Sequence, residues 1–221
     1  MVQEAIALDP EYGRFYEVLG WTYHHEAMFA WGDDPDGSLQ RAEELGEKAI
    51  TLGDSFGHML LMNIYTLRGQ IDKAIVEGEK ALATNSNYAD LNLLFGGTLS
   101  IAGRHEEAIE RIKKAIRLNP HHPSYYFGTL GSCYFRAGMN EKAIKYLERD
   151  AKLTPNAFLS WLTLAGLYAQ LDRDEEAKRA AKEVHRIAPD YSWERYRKVL
   201  RIYDKEVERK FIDGLRKVGL V

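Results

Sequence analysis

The chain has 221 residues, and its 30 Lys and Arg residues against 33 Asp and Glu residues give a formal net charge of −3. Hydrophobic residues make up 45% of the sequence and charged residues 29%, which is typical of folded proteins and excludes a disordered tail. Six prolines and one cysteine exclude a collagen-like or disulfide-stapled chain. The slightly acidic balance argues against a nucleic-acid binder, whose phosphate contacts require a basic surface.

Targeting and membrane signals are weak in this sequence. The first ten residues include Glu4 and Asp9 and lack the basic start and apolar core of a signal peptide. The uncharged stretch Leu153–Leu171 contains Pro155 and several polar residues, so we expect a buried helix there and no membrane association. The single thiol, Cys133, is expected to be buried in a reducing compartment, which predicts a cytoplasmic protein.

A period of 34 or 35 residues runs through most of the chain. Gly69, Gly103 and Gly138 follow one another at intervals of 34 and 35, and Asp172 lies 34 residues further on. Alanines, prolines and tyrosines keep the same spacing: Ala74, Ala108, Ala143, Ala177, Pro120, Pro155, Pro189, Tyr65, Tyr134 and Tyr168. A period shared by independent positions is the signature of a repeat architecture.

Each repeat has a common internal pattern. Residues 16–23 place an aromatic residue, a leucine, a glycine and a tyrosine along one helical stripe, and residues 127–134 and 161–168 repeat this order, the last with alanine for glycine. A short turn then leads to a second amphipathic stretch, which in one repeat ends at Asn119–Pro120. The pattern predicts helix–turn–helix units whose small residues let the two helices approach closely.

These motifs resemble the tetratricopeptide repeat. The resemblance implies an all-α fold, a right-handed superhelical solenoid of antiparallel helix pairs, and a role in binding other proteins. It covers nearly the whole chain as a single solenoid domain, with a partial repeat at 1–12, repeats at 13–54, 55–88, 89–123, 124–157 and 158–191, and capping helices at 192–221. Repeats 55–88 and 89–123 are weaker matches, since His58 and Asn92 stand where an aromatic residue is usual.

The N-terminal part of the predicted array is irregular. The partial repeat resembles the second half of a hairpin, so we expect either a fragment of a longer protein or pairing through this open edge. Repeat 13–54 carries about ten inserted residues between Tyr23 and Ala42. We expect the insert to form a turn in which Ser38 or Asp36 caps the next helix. Its acidic residues lack the spacing of a calcium loop, which disfavours a calcium site there.

The C-terminal segment 192–221 is basic, with nine Lys and Arg residues against five Asp and Glu residues. It carries two apolar stripes at helical spacing: Trp193, Tyr196, Leu200 and Tyr203, then Val207, Phe211, Leu215 and Val218. These stripes predict helices that cover the apolar face of the last repeat. The alternative interpretation is a basic contact surface for an acidic partner.

Common catalytic and metal-binding motifs are absent from the sequence. It contains no phosphate-binding glycine loop, no Cys-x2-Cys pair, no metalloprotease motif and no nucleophile elbow. His24 could approach His58 across adjacent first helices, but two imidazoles without a third ligand do not predict a metal site. We therefore expect a protein that is not an enzyme and has neither metal nor cofactor.

The first helices of a stacked array present one face along a concave surface. The position after each packing aromatic residue, together with the positions four and seven further on, should line it; we call this set the inner stripe. Its predicted peptide-binding members are Glu17, Trp21, His24, Met59, Asn63, Thr66, Leu93, Ser100, Ser132, Phe135 and Leu162, with Gly97, Gly128, Gly166 and Ala169 between them. The set has one acid and no Lys or Arg, which disfavours a clamp for a terminal carboxylate and suits an amphipathic helix or an apolar segment. The alternative is that much of the inner stripe is internal packing.

Three functions remain open from the sequence. The first is a non-catalytic scaffold that binds a protein or peptide partner in the concave groove. The second is a regulatory module of a larger bacterial signalling protein, because the segment from Trp31 to Asp54 and the ending Phe211–Leu220 resemble repeat regions of class III nucleotide cyclases and of winged-helix regulators. The third is a homo-oligomer formed through the open N-terminal edge.

Overall fold

The structure, a computed structural model, describes residues 1–29, 33–194, 197 and 205–221. Within these ranges the chain forms twelve α-helices and no strand. The first six are α1 (Val2–Leu8), α2 (Gly13–Phe29), α3 (Pro35–Thr51), α4 (Phe56–Arg68), α5 (Ile71–Asn85) and α6 (Ala89–Ile101). The others are α7 (His105–Leu118), α8 (Tyr125–Arg136), α9 (Asn140–Leu153), α10 (Phe158–Gln170), α11 (Asp174–Ile187) and α12 (Lys205–Lys217).

Successive helices fold back on one another, and the predicted all-α array of antiparallel helix pairs is confirmed. The chain divides into two compact units, unit 1 (1–98) and unit 2 (99–221), with the division inside α6. None of the helices in the described ranges is both long and apolar enough to cross a bilayer.

Unit 1 is built from the hairpins α2–α3 and α4–α5. Helix α3 packs on α4, and the two first helices, α2 and α4, also contact each other. Leu39, Ala42, Leu60, Leu61 and Ile64 form its buried core. A Cβ atom on Gly20 would lie 2.4 Å from Leu60 Cδ2, so glycine is required where α2 approaches α4.

Unit 2 repeats this arrangement with the hairpins α8–α9 and α10–α11, preceded by α7 and followed by α12 on α10. The periodic alanines Ala108, Ala143 and Ala177 have no accessible surface. A Cβ atom on Gly131 would lie 2.7 Å from Leu147 Cγ. Small residues therefore occupy the seam between the two helices of a pair, as the repeat pattern predicts.

The turns inside the hairpins share a residue with positive φ. Gly69, Gly103 and Gly138 have φ between 70° and 80°, the left-handed region in which glycine pays no steric penalty. Asp172 takes the same role between α10 and α11 with φ of 54°. It is the one non-glycine residue with positive φ in the described ranges. Aspartate tolerates this conformation better than most residues, at some cost in energy.

Two details differ from the sequence-based predictions or lie beyond them. Asp34, rather than Ser38 or Asp36, caps α3, since its Oδ1 accepts a hydrogen bond from Gly37 N at 2.9 Å and Pro35 occupies the first helical position. The residues 30–32 of the predicted insert lie outside the described residues. So do most of the first predicted C-terminal stripe and the middle of the predicted cap, 195–196 and 198–204.

Candidate functional site

The structure buries most of the inner stripe. Seven of its predicted binding residues are buried, namely Glu17, His24, Met59, Leu93, Ser100, Phe135 and Leu162. The four that keep partial exposure are Trp21, Asn63, Thr66 and Ser132. The first seven positions from Glu17 to Leu93 belong to unit 1 and the other four to unit 2. Internal packing therefore accounts for much of the stripe, and its role in peptide binding stays a prediction.

In unit 1, the start of the stripe is a polar cluster on α2. Trp21 Nε1 donates a hydrogen bond to Glu17 Oε1 at 2.7 Å, one helical turn away. Arg14 Nε lies 3.6 Å from the other carboxylate oxygen of Glu17. Burial raises the pKa of Glu17, although Arg14 and Trp21 oppose this change. Both carboxylate oxygens of Glu17 therefore have partners, and the hydrogen bond from Trp21 fixes the orientation of the indole ring.

His24 lies one turn beyond Trp21 on the same face of α2. Its ring packs edge-on against Trp21, with 5.1 Å between the centroids, and against the exposed His25 at 5.5 Å. Its Nδ1 atom is buried without a hydrogen-bond partner among the described residues. Burial, with a smaller contribution from His25, lowers the pKa of His24 to about 4. At neutral pH the side chain is therefore a buried, uncharged imidazole.

The polar members on α4 form hydrogen bonds within unit 1. Asn63 Nδ2 donates to Met59 O at 2.9 Å, and Thr66 Oγ1 donates to Met62 O at 2.8 Å. The hydroxyl oxygens of Thr66 and Thr98 are 3.0 Å apart, which links α4 to α6. Side chains that bond the carbonyl one turn earlier are held against their own helix, so the donor groups of Asn63 and Thr66 are already used within unit 1.

In unit 2, part of the stripe is covered by the chain itself. Phe211 of α12 has no accessible surface, and its ring centroid lies 5.1 Å from that of Phe135 on α8 and 6.3 Å from that of Trp193. A Cβ atom on Gly166 of α10 would lie 2.3 Å from Phe211 Cε2. Only glycine at this position leaves room for the ring, so Phe211 occupies the inner stripe at Gly166 and Phe135.

Further contacts along α12 extend this interface. A Cβ atom on Gly214 would lie 2.4 Å from Gly166 O, so the two glycines face each other where the helices are closest. Lys217 Nζ donates to Ala169 O at 3.0 Å and pairs with Asp172 Oδ1 at 2.9 Å. We call the surface formed by Phe135, Gly166, Ala169 and Asp172 the α12 site.

The sequence prediction placed apolar C-terminal helices over the last repeat, but it missed the particular partners. Phe211 belongs to the predicted second apolar stripe and Gly166 to the inner stripe, and nothing in the sequence joined the two. The available signal was that Gly166 is a glycine inside an otherwise apolar helix. Such a glycine commonly marks a close approach of another element.

Metal-binding side chains do not converge in the described ranges. No three His, Cys, Asp or Glu side chains there are placed to hold a metal ion. Burial raises the pKa of the Cys133 thiol, which keeps it protonated and weakly nucleophilic.

Comparisons with known proteins agree with this arrangement. A family model described as tetratricopeptide repeat matches residues 101–158. Mouse (Mus musculus) anaphase-promoting complex subunit 7 is 28% identical over 195 residues, which cover 86% of this chain and 32% of that protein. The chain thus spans about a third of the length of the curated relatives it matches.

Solved structures show the same fold. The APC/C hetero-tetramer Cut9–Hcn1 superposes with a TM-score of 0.75 at 16% identity, covering 97% of this chain and 38% of that chain. YrrB, a protein with an unusual peptide-binding site, superposes with a TM-score of 0.56 at 20% identity, covering 93% of this chain and 97% of that one. At these identities the likeness establishes the arrangement of helices alone.

Proposed function

We propose that the chain, in which residues 101–158 match the tetratricopeptide repeat, is a non-catalytic protein-interaction scaffold whose inner stripe binds an amphipathic helix. The observation that carries this proposal is α12, an amphipathic helix that lies on the inner stripe at Phe135 and Gly166. A surface that accepts one such helix has the shape and polarity to accept another of the same kind.

The contacts of α12 define the mode of binding. Its buried residues Phe211, Gly214 and Leu215 recur at three- and four-residue spacing along one face. Its opposite face carries exposed charged residues. An apolar helical face laid onto a shallow apolar surface is a common way for helices to bind. The peptide-binding site of YrrB supports the proposal by analogy of fold.

The partly exposed members of the inner stripe are the proposed contact residues. In unit 1 these are Trp21, Asn63 and Thr66, and in unit 2 Ser132 lies beside Phe135. The buried members of the stripe, such as Met59, Leu93 and Leu162, pack beneath the partly exposed ones and set the shape of the proposed binding surface.

A second candidate is that the chain works as an interaction module of a larger assembly. Anaphase-promoting complex subunit 7 is, by its name, a subunit of a complex, and the matching region is about a third of its length. The nucleotide-cyclase resemblance, self-assembly through the N-terminal edge, cytoplasmic location and bacterial origin stay predictions of the sequence. Mass measured by light scattering over a range of concentrations tests self-assembly, and a constant monomer mass would exclude it.

A peptide of residues 205–221 tests the scaffold function directly. It is labelled with a fluorophore and titrated into the full chain carrying Phe211→Ala, in which the internal helix is weakened. We expect saturable binding, with an affinity at least about tenfold lower when the peptide itself carries Phe211→Ala, because a buried aromatic anchor dominates such contacts. Equal affinity for the two peptides would contradict the proposal.

A further inference from the structure

We propose that α12 is a built-in occupant of the α12 site, and that an amphipathic helix of a protein partner binds unit 2 by displacing it. This inference rests on the proposed function and adds the identity of the competitor and the chemistry of the partner. The α12 site would be closed in the isolated chain and open only when α12 leaves it.

The position of α12 supports an occupant rather than another helix of the repeats. Within a hairpin of this chain, the helices meet at periodic small residues such as Ala143 and Ala177. Phe211 instead contacts Gly166 and Phe135, which are inner-stripe positions of two successive first helices. The surface expected to receive a ligand therefore holds α12.

Two apolar side chains of α12 form the buried centre of the interface. Phe211 and Leu215 have no accessible surface. The polar contact that ends the interface, between Lys217 and Asp172, is largely exposed, with 52% and 84% of these side chains accessible. Exposed ion pairs contribute little in water. A partner that offers an aromatic side chain at Gly166 and an apolar side chain four positions later thus replaces the buried contacts of Phe211 and Leu215.

Helix α12 depends on this surface for its own folding. It has 13 residues, and isolated helices of this length are marginal in water. A short helix held by one face opens more readily than the helices that pack on two sides. Opening of α12 therefore does not require the hairpins of unit 2 to unfold.

The same contacts specify the partner. It should be an amphipathic helix with an aromatic residue, a glycine three positions later to match Gly166, and an apolar residue four positions later, as in Phe211, Gly214 and Leu215. A lysine or arginine six positions after the aromatic residue would reach Asp172, as Lys217 does. A tethered helix has an effective concentration of about a millimolar, so the partner must overcome that competition.

The experiment compares three full-length chains with one probe, the labelled peptide of residues 205–221. The chains are the unchanged protein, Phe211→Ala, and Arg209→Ala, which alters an exposed residue of α12. We expect the Phe211→Ala chain to bind the peptide at least about tenfold more tightly than the other two, because its internal competitor is weakened. Hydrogen exchange supplies a second readout: excess peptide should speed exchange of residues 205–217 in the unchanged chain.

The outcomes separate the two proposals. Equal affinity for all three chains would overturn displacement and leave the scaffold function intact. Failure of a folded Phe211→Ala chain to bind the peptide would overturn both. If Phe211→Ala does not fold, hydrogen exchange in the unchanged chain decides, and unaltered exchange of α12 at millimolar peptide rejects displacement.

Discussion

Gly97 and Gly166 lie two repeat periods apart at the same position of the inner stripe, yet their surroundings differ completely. A Cβ atom on Gly166 would collide with Phe211, whereas a Cβ atom on Gly97 would meet none of the residues that the structure describes within 4 Å. Both glycines lie inside helices, where glycine costs about 0.5–1 kcal/mol relative to alanine. At Gly166 the cost is offset by the packing of α12, and at Gly97 no contact among the described residues offsets it. Position in the repeat therefore does not determine what a glycine does.

The difference extends to a neighbouring position of the stripe. His24 in unit 1 and Phe135 in unit 2 each follow the last tyrosine of the first-helix pattern. Phe135 packs against the ring of Phe211, while His24 buries a nitrogen without a partner among the described residues. In unit 2, α12 thus packs on the inner face. In unit 1, the inner face carries the energetic cost of burying the His24 nitrogen.

The largest expected effect comes from removing the side chain that distinguishes unit 2. Phe211→Ala should weaken the docking of α12 by about 3–5 kcal/mol, because truncating a fully buried aromatic residue leaves a cavity. Hydrogen exchange should show faster exchange of residues 205–217 and nearly unchanged exchange in α8 and α10. Arg209→Ala serves as the control in α12 and should alter neither. Simultaneous loss of protection in α8, α10 and α12 would mean that α12 is an inseparable part of the core.

The next effect is a pH dependence of stability that belongs to unit 1. The pKa of His24 is lowered from 6.5 to about 4 in the folded state, so the unfolded chain binds more protons between these values. The free energy of unfolding should therefore fall as pH drops from 6.5 towards 4, by about 3 kcal/mol at most. Denaturant titrations at pH 7 and pH 4.5 measure it.

His24→Phe copies the residue of unit 2 and should flatten this pH dependence, whereas the exposed His25→Gln should retain it. The raised pKa of Glu17 acts in the opposite direction at acid pH, since the folded state takes up that proton more readily. The comparison of variants at each pH removes this shared contribution. A His24→Phe chain with an unchanged slope would show that His24 is not the responsible group.

The two glycines themselves give a smaller pair of effects with opposite signs. Gly166→Ala should cost about 1–3 kcal/mol, because the new methyl group overlaps the Phe211 ring. Gly97→Ala should stabilise the chain by about 0.5–1 kcal/mol through helix propensity alone, because its methyl group meets open space. Thermal unfolding of both variants checks the signs. Stabilisation by Gly166→Ala would show that Phe211 does not need this space.

These contrasts also mark what the sequence could predict. The period of small residues predicted the helix pairs, because a hairpin seam must hold alanine or glycine at each repeat, as Ala108 and Ala143 do. The predicted cap of α3 was wrong because the helix begins at Pro35, which makes Asp34 the capping residue. Which inner-stripe residues are buried depends on neighbouring helices, and the contact between Gly166 and Phe211 joins residues with no shared period.

The smallest effect tests the end of α12 through the turn at Asp172. Asp172→Gly should relieve the left-handed backbone and stabilise the hairpin α10–α11 by about 0.5–1 kcal/mol. It also removes the carboxylate that pairs with Lys217, so exchange of residues 205–217 should become faster. Asp172→Asn, which also tolerates this backbone conformation, should change the exchange of α12 without the gain in stability. Gly138→Asp, in the equivalent turn of the preceding repeat, should lower stability and leave α12 unchanged. If neither Asp172 variant alters α12, the contact between Asp172 and Lys217 plays no part in holding the helix, and its apolar residues and the hydrogen bond from Lys217 to Ala169 O hold it instead.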